Sequence, residues 1–242
     1  PGITDKPGHG YAILARLESG EIQHRSMTIQ CTIVPVTPYQ QNCSVVRCVR
    51  TGKAAIVDPG GDAARILEAV EKMDAVVEKI LLTHAHVDHC AASDLLRQQL
   101  DIPIEGPHRG DSFWLERLPE WCRMSGFPPA NPFTPDRWLE DGDRVTVGDL
   151  EFEVLHCPGH TPGHVVFHHR GRHLAWVGDV LFRGSIGRTD FPGGNHQQLI
   201  SSIRDKLFPL GEEVTFIPGH GPTSTFGEER RTNPYVGDAA AR

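Results

Sequence analysis

The sequence predicts an α/β fold in a single domain, on the basis of its length, its hydrophobic content and the order of its segments. The chain has 242 residues, of which 38% are hydrophobic, and this is enough for one sizeable core. Apolar runs of strand length alternate with segments that carry apolar residues at helical spacing. We therefore expect one compact domain built from strands and helices.

The first half of the chain predicts four strands and two helices. The strands are "CTIVPV" (31–36), "CSVVRCV" (43–49), "AAIVDPG" (54–60) and "EKILLTH" (78–84). Asp62 is expected to cap the helix "AARILEAVEKM" (63–73). The segment "DHCAASDLLRQQL" (88–100) follows the fourth strand and is expected to form one helix.

The second half repeats a similar plan of strands, one helix and a final strand. Its segments are "DRVTVGDLEFEVLHCPGH" (143–160), "HVVFHHRGRHLAWVGDVLF" (164–182), "HQQLISSIRDKLF" (196–208) and "EVTFIPGHG" (213–221). In the first half, Asp58 lies before the first helix and His84 lies after it. In the second half, Asp179 lies before the helix 196–208 and His220 lies after it. This indicates two related halves whose strand ends face one cleft. The segment "GFPPANPFTP" (126–135) is predicted to be a Pro-rich surface loop.

The domain is expected to span residues 28–236, between an N-terminal extension (1–27) and a short tail (237–242). The extension is punctuated by Gly and charged residues and shows little sustained periodicity. Both an attached remnant and a natural arm that adds a strand are compatible with this composition.

Composition and charge exclude several classes of partner. The net charge of −7 provides no basic stripe for a nucleic-acid backbone, and no apolar run approaches the roughly 18 residues that span a membrane. The six cysteines form no C-x-x-C pair and no secretory leader precedes them, so we expect reduced thiols in a cytoplasmic protein. The expected partner is a small molecule, and the oligomeric state stays open.

The segment "LLTHAHVDHC" (81–90) carries the strongest chemical signal, because it places His84, His86, Asp88 and His89 within six positions. The strand before this segment and the helix after it place His84 and His86 on the turn between them. Asp88 and His89 then lie at the start of the helix. Imidazole nitrogen and carboxylate oxygen are ligands of Zn²⁺ and similar ions. A capped helix with solvated histidines is the simpler explanation, and the concentration of four such residues weighs against it.

Three later segments have the same form, a strand followed by a turn that bears His or Asp. They are "LHCPGHTPGH" (155–164), "WVGDVLF" (176–182) and "FIPGHG" (216–221). A single His in a Gly-Pro turn is more often a solvated turn residue than a ligand. Four such features, each at the end of an apolar strand, indicate one shared site.

Together, "THAHVDH", "CPGHTPGH", "GDVLF" and "PGHG" resemble the metallo-β-lactamase fold superfamily, and in particular its short, single-domain glyoxalase II-like thioester hydrolases. This resemblance implies an αββα sandwich with the site at one edge of two packed sheets. It places His84, His86 and His160 on a first metal ion, Asp88, His89 and His220 on a second, and Asp179 between both. It also implies that Asp58 and His164 support the ligands without binding metal themselves.

The implied activity is hydrolysis of S-lactoylglutathione or a related acyl-thiol by a hydroxide that bridges two divalent ions. Zinc is the expected metal, with iron or manganese as alternatives, and Asp88 and Asp179 are the expected catalytic carboxylates. Two Asp and five neutral His would carry a charge of about −2, and two divalent ions offset the cost of burying it. The bound ions would supply both the nucleophile and the stabilisation of the oxyanion.

One departure from the family pattern affects substrate binding. Long glyoxalase II enzymes hold glutathione with a helical C-terminal domain, whereas 22 residues follow His220 in this sequence. Glutathione has two carboxylates, so a cation is expected near the site, and Arg188 in "GSIGRTD" matches the basic position of the family. Arg183, Arg230 and Arg231 are weaker candidates, because charged surface residues are common.

Other branches of the superfamily fit less well. Only 40 residues separate Asp179 from His220, which excludes the inserted domain of the metallo-nucleases. Secreted β-lactamases usually have Cys at the position of Asp179, flavin-linked relatives need a further domain, and a non-catalytic binding module would lose ligands. The alternative function is a persulfide dioxygenase, which shares a stretch like "GRTDFPGG" (187–194) and would hold one iron with His84, His160 and Asp179.

Overall fold

A computed structural model describes residues 29–241, which form two β-sheets packed between two layers of helices. The first half contains β1 (Ile29–Val36), β2 (Gln41–Cys48), β3 (Lys53–Val57), α1 (Ala63–Lys72), β4 (Val76–Leu81), α2 (Val87–Cys90), α3 (Ser93–Leu100), β5 (Ile104–Glu105), α4 (Ser112–Glu116) and α5 (Leu118–Ser125). A 3₁₀ turn, Arg109–Asp111, precedes α4. The predicted extension, residues 1–27, lies outside the described residues.

The second half contains β6 (Arg144–Val147), β7 (Leu150–His156), β8 (Val165–His169), β9 (Leu174–Gly178), β10 (Leu181–Phe182), β11 (Ser185–Ile186), α6 (His196–Ser201), β12 (Thr215–Pro218), β13 (Ser224–Thr225) and α7 (Phe226–Thr232). The helix α6 continues through a π-helical turn, Ser202–Leu207, and a 3₁₀ turn, Phe208–Leu210. Two further 3₁₀ turns are Arg170–Arg172 and Asp238–Ala241.

Each half builds one large sheet, and β10 and β11 form a further two-stranded antiparallel sheet. The two large sheets follow the same path. The first has the order β1-β2-β3-β4-β5, antiparallel up to β3 and parallel from β3 to β5. The second has the order β13-β12-β9-β8-β7-β6, and its only parallel pair is β9 with β12. In both halves an antiparallel pair therefore leads into a strand-helix-strand unit, β3-α1-β4 and β9-α6-β12. This agrees with the two related halves that the sequence indicates.

Three apolar layers hold the sandwich together, because the middle strands bury both of their faces. On β3, Ala54 and Ile56 pack under the helices of the first half, while Ala55 and Val57 pack between the sheets. On β8, Phe167 faces the other sheet and its neighbour on the opposite face packs under α6. Side chains alternate between the faces of a strand, so these apolar runs have a helix layer on one side and a sheet on the other. The predicted αββα sandwich is confirmed.

One expectation about helices holds for position only, and another is wrong. Asp62 occupies the N-cap position of α1, but its side chain makes no capping bond and instead accepts the Thr37 N–H at 2.8 Å. The predicted helix 88–100 is split into α2 and α3, because the Ala92 N–H donates to the Pro59 carbonyl at 3.0 Å. In both cases a residue distant in sequence forms the hydrogen bond. The Asp62 carboxylate and the Ala92 N–H are therefore not available for a bond within the local helix.

The middle of the chain adds structure that the sequence did not predict. The helices α4 and α5 cover the first sheet, and Trp114 and Leu115 on α4 are buried. The segment 126–135 is a loop, as predicted, but Phe127 and Phe133 within it are buried in the core. All six cysteines lie in the described residues and are free thiols. Within residues 29–241, no helix is long and apolar enough to cross a membrane.

Candidate metal centre

The ends of four strands bring the predicted ligands to one edge of the sandwich. His84 follows β4 in the first sheet, and His160 follows β7 in the second. Asp179 comes directly after β9, and His220 comes two residues after β12. Because the carboxyl ends of these strands meet at the same edge, residues separated by up to 136 positions become neighbours.

The first cluster joins His84 and His86 of the first sheet to His160 of the second. One donor atom from each lies within 4.8 Å of the others, and all three side chains are buried. The His160 Nε2 atom lies 2.9 Å from the His86 Nδ1 atom. These are the three histidines that the resemblance assigns to the first metal ion.

The second cluster consists of Asp88 and His89 on α2 together with His220. Their donor atoms also lie within 4.8 Å of one another. The Asp88 Oδ2 atom is 3.1 Å from His220 Nε2 and 3.8 Å from His89 Nε2. This is the set that the resemblance assigns to the second metal ion.

Asp179 lies between the two clusters. Its Oδ2 atom is 3.6 Å from His160 Nε2 of the first cluster and 3.7 Å from His220 Nε2 of the second. Its Oδ1 atom is 3.3 Å from His89 Nε2. A single carboxylate therefore faces donors of both clusters, as a shared ligand would.

Several buried polar atoms at this edge fit metal ions. The Nε2 atoms of His84 and His89 and the Oδ1 atom of Asp179 have no hydrogen-bond partner among the described residues. Buried polar atoms are normally paired, and unpaired imidazole nitrogens aimed at a carboxylate are typical ligands of divalent ions. The His and Asp clusters together fit a dinuclear site.

Asp58 fixes the orientation of ligands in both clusters. Its Oδ1 accepts the Thr83 N–H at 2.7 Å, and its Oδ2 accepts the Thr83 hydroxyl at 2.6 Å and the His89 Nδ1–H at 3.0 Å. The Thr83 oxygen in turn lies 3.1 Å from His84 Nδ1. Each histidine therefore has an acceptor at Nδ1, so that Nε2 is the atom left to bind metal. The donor atoms of Asp58, His84 and His89 also lie within 4.8 Å of one another, but both Asp58 oxygens already accept hydrogen bonds, so its supporting role stays a prediction.

Main-chain carbonyls orient two further histidines in the same way. His160 Nδ1 donates to the Arg188 carbonyl at 2.7 Å, and His220 Nδ1 donates to the Tyr39 carbonyl at 3.1 Å. His164 acts on Asp179, since its Nε2 accepts the Asp179 N–H at 3.0 Å. These contacts keep the ligand atoms aimed at the centre.

The protonation of the centre follows from burial and from the carboxylates. Burial lowers the pKa of His84 and of His86 well below the ordinary value, so both rings are neutral, as metal ligands must be. Burial acts in the same direction on His89, but the negative charges of Asp179 and Asp88 outweigh it and raise the pKa of His89. The same interaction lowers the pKa of Asp179 against the effect of burial. The carboxylate is therefore ionised.

Arg188 lies at the mouth of the centre, but its guanidinium is already engaged. It forms a two-point ion pair with Asp190, with distances of 2.9 and 2.8 Å, and lies 4.6 Å from the centre of the Phe191 ring. Phe191 itself contacts the rings of His86 and His160. The positive charge expected for substrate binding is thus balanced by a neighbouring carboxylate.

The weaker basic candidates lie on α7 and directly after β10. Arg230 and Arg231 are on α7 and pair with Asp238 and Glu228. Arg183 is exposed at the start of the turn between β10 and β11.

Two important positions were not found from the sequence. Gly219 is one, because a Cβ atom there would lie 2.1 Å from the Asp179 Oδ1 atom and 2.6 Å from the His89 Cε1 atom. Asp111 is the other, a fully buried carboxylate that bonds to residues beside the ligands. The Pro-Gly turn before His220 was a visible signal for the glycine, whereas Asp111 resembles an ordinary helix cap.

The family model of the metallo-beta-lactamase superfamily matches residues 36–226. The chain belongs to this superfamily. The hydroxyacylglutathione hydrolase GloC of Haemophilus influenzae is 45% identical over 205 residues, covering 84% of this chain and 96% of the relative. The chain is thus a metal-dependent hydrolase of the superfamily.

Two solved structures have the same fold over most of their length. The B3 metallo-beta-lactamase BLEG-1 is 37% identical, with a TM-score of 0.79 over 85% of this chain and 99% of that protein. TTHA1623, solved in a di-iron-bound form, is 38% identical, with a TM-score of 0.77 over 84% of this chain and 99% of that protein. The resemblance to the superfamily that the motifs indicated is confirmed.

Proposed function

We propose that this chain is a thioester hydrolase that cleaves S-lactoylglutathione or a related acyl-thiol at a dinuclear metal centre. The observation that carries the proposal is the position of Asp179, whose two oxygens face donors of both clusters. The name of the H. influenzae relative, a hydroxyacylglutathione hydrolase, supports the substrate class. In this proposal Asp88 and Asp179 are the catalytic carboxylates.

The two ions, when bound, would lower the pKa of a coordinated water towards about 7 and polarise the thioester carbonyl. The residues of the chain supply the orientation. Asp179 would be a ligand of both ions, and Asp58 accepts from His89 Nδ1 and from the Thr83 hydroxyl beside His84, so that the Nε2 atoms of both histidines are directed towards the ions. Phe191 covers the first cluster with an apolar ring, which limits the access of bulk water on that side.

The leaving group requires little from the protein. A thiol has a pKa of about 8.5, so it departs as a thiolate near neutral pH without a strong protein acid. Arg188 is the proposed contact for a glutathione carboxylate, and the substrate would compete with Asp190 for the guanidinium. Zinc is the proposed metal, with iron or manganese also accepted, because all ligands are nitrogen and oxygen donors.

The second candidate is the persulfide dioxygenase with one iron on His84, His160 and Asp179. The iron in TTHA1623 is the observation in its favour, although that structure holds two irons and this candidate needs one. Against it stand Asp88, His89 and His220, which converge within 4.8 Å although a single-iron enzyme would not need them as ligands. Burying these polar groups costs desolvation free energy, and a single-iron enzyme would gain no metal binding from them to offset that cost.

An anaerobic assay separates the two functions. Zinc-loaded protein should release free thiol from S-lactoylglutathione without oxygen, as measured with a chromogenic thiol reagent. Replacing His89 or His220 with Ala should abolish most of this activity, because each removes a ligand of the second cluster. His196→Ala is a matched control, since His196 is an exposed histidine in the first turn of α6 and belongs to neither cluster.

The opposite result would support the dioxygenase. Iron-loaded protein would then consume oxygen with glutathione persulfide, the zinc form would leave the thioester intact, and the His89 and His220 variants would keep their activity. That combination would exclude the hydrolase proposal.

A further inference from the structure

We propose that Asp111 is a positioning residue that sets the distance between the two loops that carry the first metal cluster. These are the first ligand loop, residues 83–86, which carries His84 and His86, and the second ligand loop, residues 158–164, which carries His160. The inference rests on the proposed metal centre and concerns how the fold assembles it.

Asp111 bonds to both ligand loops with one carboxylate. Its Oδ2 accepts the Ala85 N–H at 3.0 Å and the Thr161 hydroxyl at 2.9 Å, and its Oδ1 accepts the Gly163 N–H at 2.5 Å. Ala85 lies between His84 and His86, and Thr161 directly follows His160. Two of the three bonds are therefore made next to a predicted ligand, and the third is made next to the supporting residue His164. The two loops follow strands of different sheets.

The local role of Asp111 does not explain these contacts. Asp111 occupies the N-cap position of α4, where an Asp normally accepts a helix N–H, but its side chain makes no capping bond. Burial raises the pKa of Asp111 to about 7, and the three donors act in the opposite direction. Among the ion pairs of residues 29–241, none includes Asp111. The hydrogen bonds to the two ligand loops are therefore the interactions that account for this buried ionisable group.

The backbone around Asp111 is packed tightly against the second ligand loop. The His108 N–H donates to the Gly163 carbonyl at 3.0 Å. A Cβ atom at Gly163 would lie 2.5 Å from both the Asp111 nitrogen and the His108 oxygen, so only glycine fits there. The main chain of residues 108–111 is therefore fixed against the second ligand loop, which fixes the position of the Asp111 carboxylate. The carboxylate can then act as a rigid spacer between His86 and His160.

A carboxylate is required because all three partners are donors. In Asp111→Asn the amide nitrogen must replace either Oδ1 or Oδ2. It then faces either the Gly163 N–H or the Ala85 N–H, and neither can accept a hydrogen bond. Only the Thr161 hydroxyl can rotate to compensate. Either orientation separates one ligand loop from its anchor while the side-chain volume stays the same.

The test is the affinity of each metal ion, measured by zinc titration in competition with a chromophoric chelator. We expect Asp111→Asn to weaken one of the two affinities about 10- to 100-fold, the range typical of residues that orient metal ligands, and to leave the other unchanged. The absorption spectrum of the cobalt-loaded protein should change as well, since it reports the coordination geometry.

Glu229→Gln is the matched control. Glu229 is another buried carboxylate with three donors, the Gly184 N–H at 2.8 Å, the Ser224 hydroxyl at 2.5 Å and the Asn233 amide at 2.9 Å. None of these partners adjoins a predicted ligand. The Gln variant should therefore lower the melting temperature of the metal-free protein and leave both metal affinities as they are.

Three outcomes would overturn the inference. The first is an Asp111→Asn protein with both affinities and the cobalt spectrum unchanged. The second is an equal loss in the Glu229→Gln control, which would indicate general destabilisation. The third is a wild-type protein that binds no metal, which would exclude the proposed function too, whereas the first two leave it intact. Should Asp111→Asn fail to fold, Thr161→Val removes a single donor, and its cobalt spectrum should still change.

Discussion

Replacing Asp58 with Asn should remove metal from the centre without unfolding the protein. Asp58 has a φ of 51°, a left-handed conformation that Asn adopts readily and Ala does not, so Asn is the appropriate substitution. With the amide nitrogen at the Oδ2 position, the side chain still accepts the Thr83 N–H. It then donates to the Thr83 oxygen and to His89 Nδ1, where Asp58 accepted before.

The expected magnitude follows from counting these bonds. The number of buried pairs is unchanged, so the free energy of unfolding of the metal-free protein should change by less than about 1 kcal/mol. His89, however, must now accept at Nδ1 and carry its proton on Nε2, the atom that faces Asp88 and Asp179. We expect a 10- to 100-fold loss of metal affinity, equal to roughly 1.4 to 2.8 kcal/mol.

The assay pairs zinc titration with chemical denaturation of the metal-free protein. Asp94→Asn is the control, because Asp94 is a buried carboxylate on α3 that bonds to Arg97 and Gln98 away from the centre. An Asp58→Asn protein that binds two ions with wild-type affinity would refute the reasoning about the tautomer. A loss of stability of about 1–3 kcal/mol would show instead that the amide points the other way and leaves the Thr83 N–H unpaired.

Further predictions concern Asp179, the close packing of Gly219 against it, the ion pair of Arg188 and Asp190, and the stabilisation of the protein by bound metal. Asp179→Ala should lower kcat by several orders of magnitude, more than Asp88→Ala, because Asp179 faces both clusters; circular dichroism should show an intact fold. Gly219→Ala should reduce metal content, measured by elemental analysis, because its Cβ atom would lie 2.1 Å from Asp179 Oδ1. Arg188→Ala should raise KM for a glutathione thioester and not for a neutral one, and Asp190→Ala should lower it; equal effects on both substrates would remove the pair from recognition. Zinc at about 1,000 times its Kd should stabilise the metal-free protein by roughly 4 kcal/mol, seen as a higher melting temperature.

Local sequence was sufficient for the α/β class and for the candidate ligands between His84 and His89, whereas the resemblance to the superfamily implied the sandwich and the full candidate set. The run from His84 to His89 is contiguous, so a strand, a turn and the first turn of a helix place its side chains together whatever the rest of the chain does. The strands could be recognised because apolar residues fill both of their faces, as on β3 and β8. The residue types then indicated divalent metal, since His and Asp in this pattern offer nitrogen and oxygen donors.

Where the sequence failed, a distant partner had replaced a local one. Asp62 and Asp111 both stand at helix N-caps, and a local rule predicts capping for each. Their side chains instead bond to Thr37 and to the ligand loops, 25 and up to 52 positions away. Arg188 is a different case, because its partner Asp190 is only two residues away, and the turn after β11 brings the two side chains together.

The sequence by itself indicated the candidate ligands and the kind of element on which each one lies. Only the tertiary structure decided how they are arranged: that Asp179 faces both clusters, that Asp58 sets the protonation of His84 and His89, and that Asp111 ties the two ligand loops together. The physical reason is that strand and helix periodicity depend on neighbours in the chain. A buried hydrogen bond depends on which donors the packing of two sheets brings within 3 Å, and that packing is a property of the whole chain.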